Sequence, residues 1–80
     1  MYNEILRLYS WCVANKIKVE KIPMFDGWKL DFGDGRDIVQ HFGSYGSQNG
    51  KVEPYGFGKF HCVPVSLATA EILICTYYKL

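Results

Sequence analysis

Residues 28–42 constrain the fold of this chain more than any other segment: two stretches of alternating apolar and polar residues flank Asp34-Gly35. An Asp-Gly pair supplies the positive φ of a tight hairpin turn at little steric cost. A turn centred there pairs Phe32 with Asp37, Leu30 with Val39 and Trp28 with His41, and directly opposed side chains share a face. The expected buried face is therefore Trp28, Leu30, Phe32, Val39 and His41. Lys29, Asp31, Ile38 and Gln40 are expected to face solvent.

Flanking segments supply the layer that covers this hairpin. Ile5, Leu8, Tyr9, Cys12 and Val13 fall on one stripe of a helix over residues 3–15. Asn3 is placed to cap its start, Glu4 suits its first turn, and Asn15 tolerates the left-handed conformation that ends many helices. Residues 16–22 read as an edge strand, with Ile17 and Val19 opposite Lys18 and Glu20, ended by Pro23. Residues 60–65 read as a further strand, interrupted near Pro64. Ser66 is placed to cap a second helix carrying Ala70, Leu73, Ile74 and Tyr77 at helical spacing. Residues 72–78 also suit a strand, being rich in β-branched and aromatic types; the helix formers of Leu67-Ala68-Thr69-Ala70-Glu71 favour helix. The expected architecture is α+β, with two helices packed on one face of a three- to four-stranded antiparallel sheet. The other sheet face, and an edge strand, stay available to a second copy or to a partner's strand.

Eighty residues, 49% apolar and 21% charged, fit one domain spanning 1–80 and leave no room for a large cofactor beside the core. Thirteen aromatic residues at a net charge of +1 exclude intrinsic disorder and leave no global field to attract a polyanion. Cys12, Cys62 and Cys75 cannot all pair internally and form no Cys-x-x-Cys, which fits a reducing compartment. With neither a secretory signal nor a membrane-length apolar run in view, a cytosolic protein is expected.

Candidate chemistry is sparse. His41, His61 and Cys62 invite a metal or thiolate reading, but their spacing matches no compact ligand motif and a thiol beside Phe60 and Val63 suits a core. Asp31, Asp34 and Asp37 stand at intervals of three, unlike a calcium loop, and turn formation accounts for them. The run Gly43-Ser44-Tyr45-Gly46-Ser47-Gln48-Asn49-Gly50 lacks the lysine of a phosphate loop. The same run reads better as a contact surface, because tyrosine gives large area at small entropy and Ser, Gly and Asn adapt their hydrogen bonds. Ser44, Tyr45, Ser47, Gln48, Asn49, Tyr55 and Phe57 are the expected partner-binding residues. Nucleic acid is not expected as a direct partner, since only Lys51 and Lys59 flank these aromatics. Catalytic, metal and cofactor residues are not assigned.

Phe25-Asp26-Gly27-Trp28, then Phe32 through Ser47, then Gly50-Lys51-Val52-Glu53 and Ser66-Leu67-Ala68-Thr69-Ala70 together resemble small uncharacterised proteins of phages and prophages. The resemblance implies an accessory protein acting in the host cytoplasm that blocks a host defence protein by binding it, as anti-CRISPR proteins do. Many of those are acidic mimics of nucleic acid; this near-neutral chain departs from them, implying occlusion of a protein surface, such as that of a CRISPR effector. Two other readings stay open: a small ligand- or nucleotide-binding sensor using the Gly/Ser loop, and a structural homodimer.

Overall fold

A computed structural model describes residues 2–79. The chain runs through α1 (Asn3–Ala14), β1 (Glu20–Met24), β2 (Gly27–Asp31), β3 (Asp37–Gln40), β4 (Glu53–Tyr55) and α2 (Leu67–Tyr78), with short 3-10 turns at Ser47–Asn49 and Gly58–Phe60. The strands form one antiparallel sheet in the order β1-β2-β3-β4. Both helices pack on one face of it, the expected α+β arrangement. Ile5, Leu8 and Cys12 of α1 meet Ala70, Leu73 and Ile74 of α2 over Leu30 and Ile38 of the sheet, joined by Phe32, Val52, Phe57 and Val65. Ser66 caps α2 as expected, its Oγ accepting the Thr69 N–H at 3.2 Å.

The hairpin register differs from the expected one by a single residue. Asp31 opposes Asp37, Leu30 opposes Ile38, Lys29 opposes Val39 and Trp28 opposes Gln40. The Asp34-Gly35 pair lies inside a five-residue loop instead of forming a two-residue turn. Asp31 Oδ1 accepts the Gly33 N–H at 2.8 Å, Asp34 Oδ1 accepts the Arg36 N–H at 3.2 Å, and Phe32 N–H donates to the Arg36 carbonyl at 3.1 Å. These side-chain-closed turns compete with the tight Asp-Gly turn. Because strand periodicity is two, the slip turns Ile38 and Gln40 toward the helices and Val39 and His41 away from them. This register buries both β-branched residues: Ile38 lies under the helices, and Val39, on the opposite face, is 3% exposed.

Other boundaries move for identifiable reasons. The first strand begins at Glu20, not at residue 16, and runs through Pro23, which an edge position tolerates. Ile17 and Val19 pack against the core from the connection before it. Lys16, not Asn15, takes the left-handed conformation after α1. The expected strand over residues 60–65 is absent; Val65 forms only an isolated bridge to Val52. The fourth strand comes instead from within the glycine-rich stretch. Its outer edge is covered, since the Pro54 carbonyl accepts the Cys62 N–H at 2.8 Å.

Asn3 does not cap α1. That position belongs to Tyr2, which makes no side-chain cap hydrogen bond, and the task falls to Gln40. Its side chain is fully buried. Oε1 accepts the Ile5 N–H at 2.9 Å, one of the amides a helix start leaves without an intrahelical partner. Nε2 donates to Glu4 Oε1 at 3.0 Å and to the Lys51 carbonyl at 3.3 Å. One amide thus joins β3, α1 and the approach to β4. Gly27 makes room for this chain path, because a Cβ there would overlap the Gln40 carbonyl oxygen. Replacing Gln40 with Leu strands the buried Ile5 amide and is expected to lower unfolding free energy by about 1–3 kcal/mol; urea denaturation monitored by tryptophan fluorescence measures it. An unchanged midpoint would show that the amide does not govern the docking of α1.

Candidate protein-contact site

At one end of the sheet, the turn from β1 into β2 and the exit from β3 bring Phe25, His41 and Phe42 together. The Phe25 and His41 rings lie 5.0 Å apart, Phe25 and Phe42 5.8 Å apart edge to face, and His41 and Phe42 6.2 Å apart. Phe25 is 77% exposed and Phe42 65%. Single exposed apolar residues are ordinary on a protein surface; a cluster of large aromatics is the informative feature.

Asp26 fixes the cluster from below. Its Oδ1 accepts the Phe42 N–H at 2.9 Å and its Oδ2 accepts the Tyr2 hydroxyl at 2.8 Å. Desolvation works against the Asp26 charge, but these hydrogen bonds prevail and hold the carboxyl below its ordinary range. The same bond raises the Tyr2 phenol. Phe25 has φ 55°, a left-handed conformation that a bulky aromatic adopts only when its surroundings enforce it. The strand ends on both sides and the Asp26 bridge provide that enforcement. His41 is tied equally firmly: its N–H donates to Ser44 Oγ at 3.0 Å, its carbonyl accepts from the same hydroxyl at 2.9 Å, and its Nδ1 accepts the Gly43 N–H at 3.0 Å.

The residues expected to bind a partner divide into three groups. Tyr45 is 67% exposed, with Gln48 and Asn49 exposed beside it, so these three remain on the available surface. Ser44 and Ser47 are buried; Ser44 secures the turn after β3. Phe57 is fully buried, with its ring 6.0 Å from Phe32 and 5.1 Å from Tyr77. Its apolar area is better removed from water between α2 and the hairpin loop than presented on a glycine-rich segment. Tyr55 is half-buried on the sheet face away from the helices, where burial and Glu53 push its phenol up to about 12. Phe25 and Phe42 were not among the expected contacts. The local signal for them was the pair of turns at Phe25-Asp26-Gly27 and Phe42-Gly43, whose proximity depends on the hairpin register.

The uncovered sheet face is built in cross-strand rows. One carries Glu20, Asp31, Asp37 and Tyr55, and the next carries Ile22, Lys29, Val39 and Glu53. Met24, Lys29, Asp37, Val39, His41 and Tyr55 line a shallow depression on it. Asp37 is half-buried and accepts no side-chain hydrogen bond among the described residues. Burial foremost, and then the opposed Asp31, raises its carboxyl, with Lys29 and His61 acting the other way.

Groups associated with chemistry are occupied structurally. His61 Nδ1 accepts the Gly56 N–H at 2.9 Å, as His41 does with Gly43. Cys12 is buried, which pushes its thiol up to about 12 and suppresses the nucleophilic thiolate. Among the described residues, no three His, Cys, Asp or Glu side chains are grouped to hold a metal ion, and no helix is long and apolar enough to cross a membrane. Comparison with protein-family models, with curated proteins and with solved structures finds no match for this chain.

Opposite pH responses follow from these carboxylates. Glu4 is lowered chiefly by its hydrogen bond with Gln40; Asp26 and Asp34 are lowered by hydrogen bonds that outweigh desolvation. A lowered folded-state pKa stabilises above the unfolded value and is lost as pH falls through the folded value, so melting temperature is expected to drop below about pH 4. Asp37 is raised, so its charge destabilises the fold at neutral pH. Asp37→Asn should raise the melting temperature at pH 7 by about 2–4 °C, and the gap should close as acid neutralises the wild-type carboxyl. Thermal melts of both proteins across pH check the sign; a destabilised variant at pH 7 would refute it.

Proposed function

We propose that this protein acts by binding another protein through its exposed aromatic end, without catalysing a reaction. The observation that carries the reading is the Phe25, His41 and Phe42 cluster, large apolar area kept in water by a strained backbone and a dedicated carboxylate bridge. Backbone strain of this kind lowers stability and persists where the surroundings over-determine it, often at ligand clamps. Rigid aromatic anchors also suit association, because little side-chain freedom remains to be lost on binding. Tyr45, Gln48 and Asn49 extend the surface with polar, adaptable contacts. The engagement of both histidine Nδ1 atoms by backbone amides supports a binding role over a catalytic one.

The finer reading is a phage-encoded inhibitor of a host defence protein, such as a CRISPR effector, working in the host cytoplasm. Its support is the resemblance of residues 25–28, 32–47, 50–53 and 66–70 to small phage and prophage proteins. A near-neutral chain suits occlusion of a protein surface better than mimicry of nucleic acid.

A Phe25→Ser, Phe42→Ser double variant separates binding from folding. Both side chains are exposed, so stability should change by no more than about 0.5 kcal/mol for each. Affinity for the captured partner should fall by about thirtyfold or more, the scale of an aromatic anchor. Affinity capture from host lysate with wild type and variant, followed by titration of the recovered protein, gives the comparison. Phage plating on cells with active CRISPR interference tests the finer reading: wild type restores plating and the double variant does not. Retention of full binding by the variant would move the site elsewhere, and unchanged phage sensitivity would remove the inhibitor reading.

A further inference from the structure

We propose that the open sheet face receives an extended, arginine-bearing segment of the partner protein, with a guanidinium between Asp31 and Asp37 and an apolar residue against Phe25 and Phe42. This rests on the protein-binding reading above and adds the chemistry of what is bound.

The first argument is charge. Glu20, Asp31 and Asp37 stand side by side in one cross-strand row, with Lys29 in the next. With Glu53, buried and accepting the Tyr45 N–H, in the row of Lys29, four carboxylates stand against one ammonium on a single face of a chain whose net charge is +1. Among the described residues Asp37 accepts no side-chain hydrogen bond, and Asp31 commits Oδ1 to the Gly33 N–H, leaving Oδ2. Among the described residues the close ion pair is Arg36 with Asp34, on the hairpin loop, so Lys29 does not satisfy this row at ion-pair distance. A guanidinium has the planar fork to bridge two carboxylates, and the Tyr55 ring in the same row offers it a flat surface. The same charges repel a polyanion.

The second argument is shape. The face has a shallow depression of about 280 Å³, lined by Met24, Lys29, Asp37, Val39, His41 and Tyr55, which joins the acidic row to the aromatic end through His41. Asp31 and Gly27 lie four positions apart on β2, about 14 Å of extended chain. An extended ligand whose arginine and apolar residue are four positions apart reaches both ends with side chains on one face. Strand addition at the edges is the poorer mode, since β1 carries Pro23 and the β4 edge is occupied by Cys62. The ligand therefore lies on the face.

Titration of the full chain, followed by amide NMR, tests this with a short soluble peptide carrying arginine and leucine four positions apart. A control peptide has glutamate in place of arginine. The arginine peptide should shift Lys29, Asp31, Val39, Tyr55 and Phe42 at concentrations up to about 5 mM, and salt at about 0.5 M should weaken it. Asp37→Asn, which is expected to fold with a higher melting temperature, should weaken it about five- to tenfold. Equal binding of the glutamate peptide, no shift on this face, or unchanged affinity of Asp37→Asn overturns the proposal. So does concentration-dependent perturbation of the same residues without peptide, which would make the occupant a second copy. In the capture experiment, loss of partner with the Phe25 and Phe42 variant but not with Asp37→Asn removes this inference alone. Capture unaffected by either variant removes the protein-binding site reading as well.

Discussion

A single buried amide holds the layers of this protein in register. Gln40 joins the start of α1 to β3 and to the approach to β4 through three hydrogen bonds, those to the Ile5 amide and Glu4 being short and that to the Lys51 carbonyl longer at 3.3 Å. Its burial is sustainable only because each polar atom has a partner, and the same condition fixes where α1 sits on the sheet. If β3 slipped by one residue, Gln40 would face solvent, the Ile5 amide would lose its acceptor, and Ile38 would leave the core. Register, helix docking and core composition are therefore one decision.

The far end of the same strand inherits that decision. Once Gln40 points inward, His41 points outward, and Phe42 leaves the sheet beside the β1–β2 turn. Asp26 then reaches the Phe42 amide and locks the two turns together. At the opposite end, Arg36 performs the comparable task with different chemistry. Its Nη1 lies 2.7 Å from Asp34 Oδ2, its Nε donates to the Gly56 carbonyl at 3.1 Å, and its guanidinium lies 4.7 Å from the Tyr77 ring centroid. The Tyr78 hydroxyl completes the clamp on Asp34. One end of the sheet is thus closed by saturated polar contacts and packed rings, whereas the other exposes its aromatics.

This asymmetry is the physical basis of the proposed binding role. The closed end spends its aromatic and charged groups on the fold; the open end keeps apolar rings in water, and the adjoining face sets Asp37 opposite Asp31, where burial and that neighbour raise its carboxyl. Features that disfavour the isolated protein make sense where a partner relieves them. On the proposed reading, the surface sets the chemical terms for a partner: planar cations and apolar side chains suit it, polyanions do not.

Both helices and the α+β order were legible in the sequence because their signals are local: the apolar stripe from Ile5 to Cys12, and Ser66 ahead of Leu67-Ala68-Thr69-Ala70. A hairpin near Asp34-Gly35 was legible for the same reason. Its register was not, because Asp31 and Asp34 offered side-chain turns that compete with the Asp-Gly turn at small energy differences, and long-range burial of Ile38 and Gln40 decided between them. A three-residue strand containing Pro54 carries too little periodicity to be read. Tyr45 was found on the surface as expected, whereas Phe57 was taken by the core and Phe25 and Phe42 took the exposed place. Sequence alone determined the first helix and the hairpin after it and favoured helix for the last segment, since those signals come from neighbours within one or two turns. Only the tertiary structure decided which faces look inward, because a period of two lets a one-residue shift exchange the faces, and contacts between distant segments alone distinguish the outcomes.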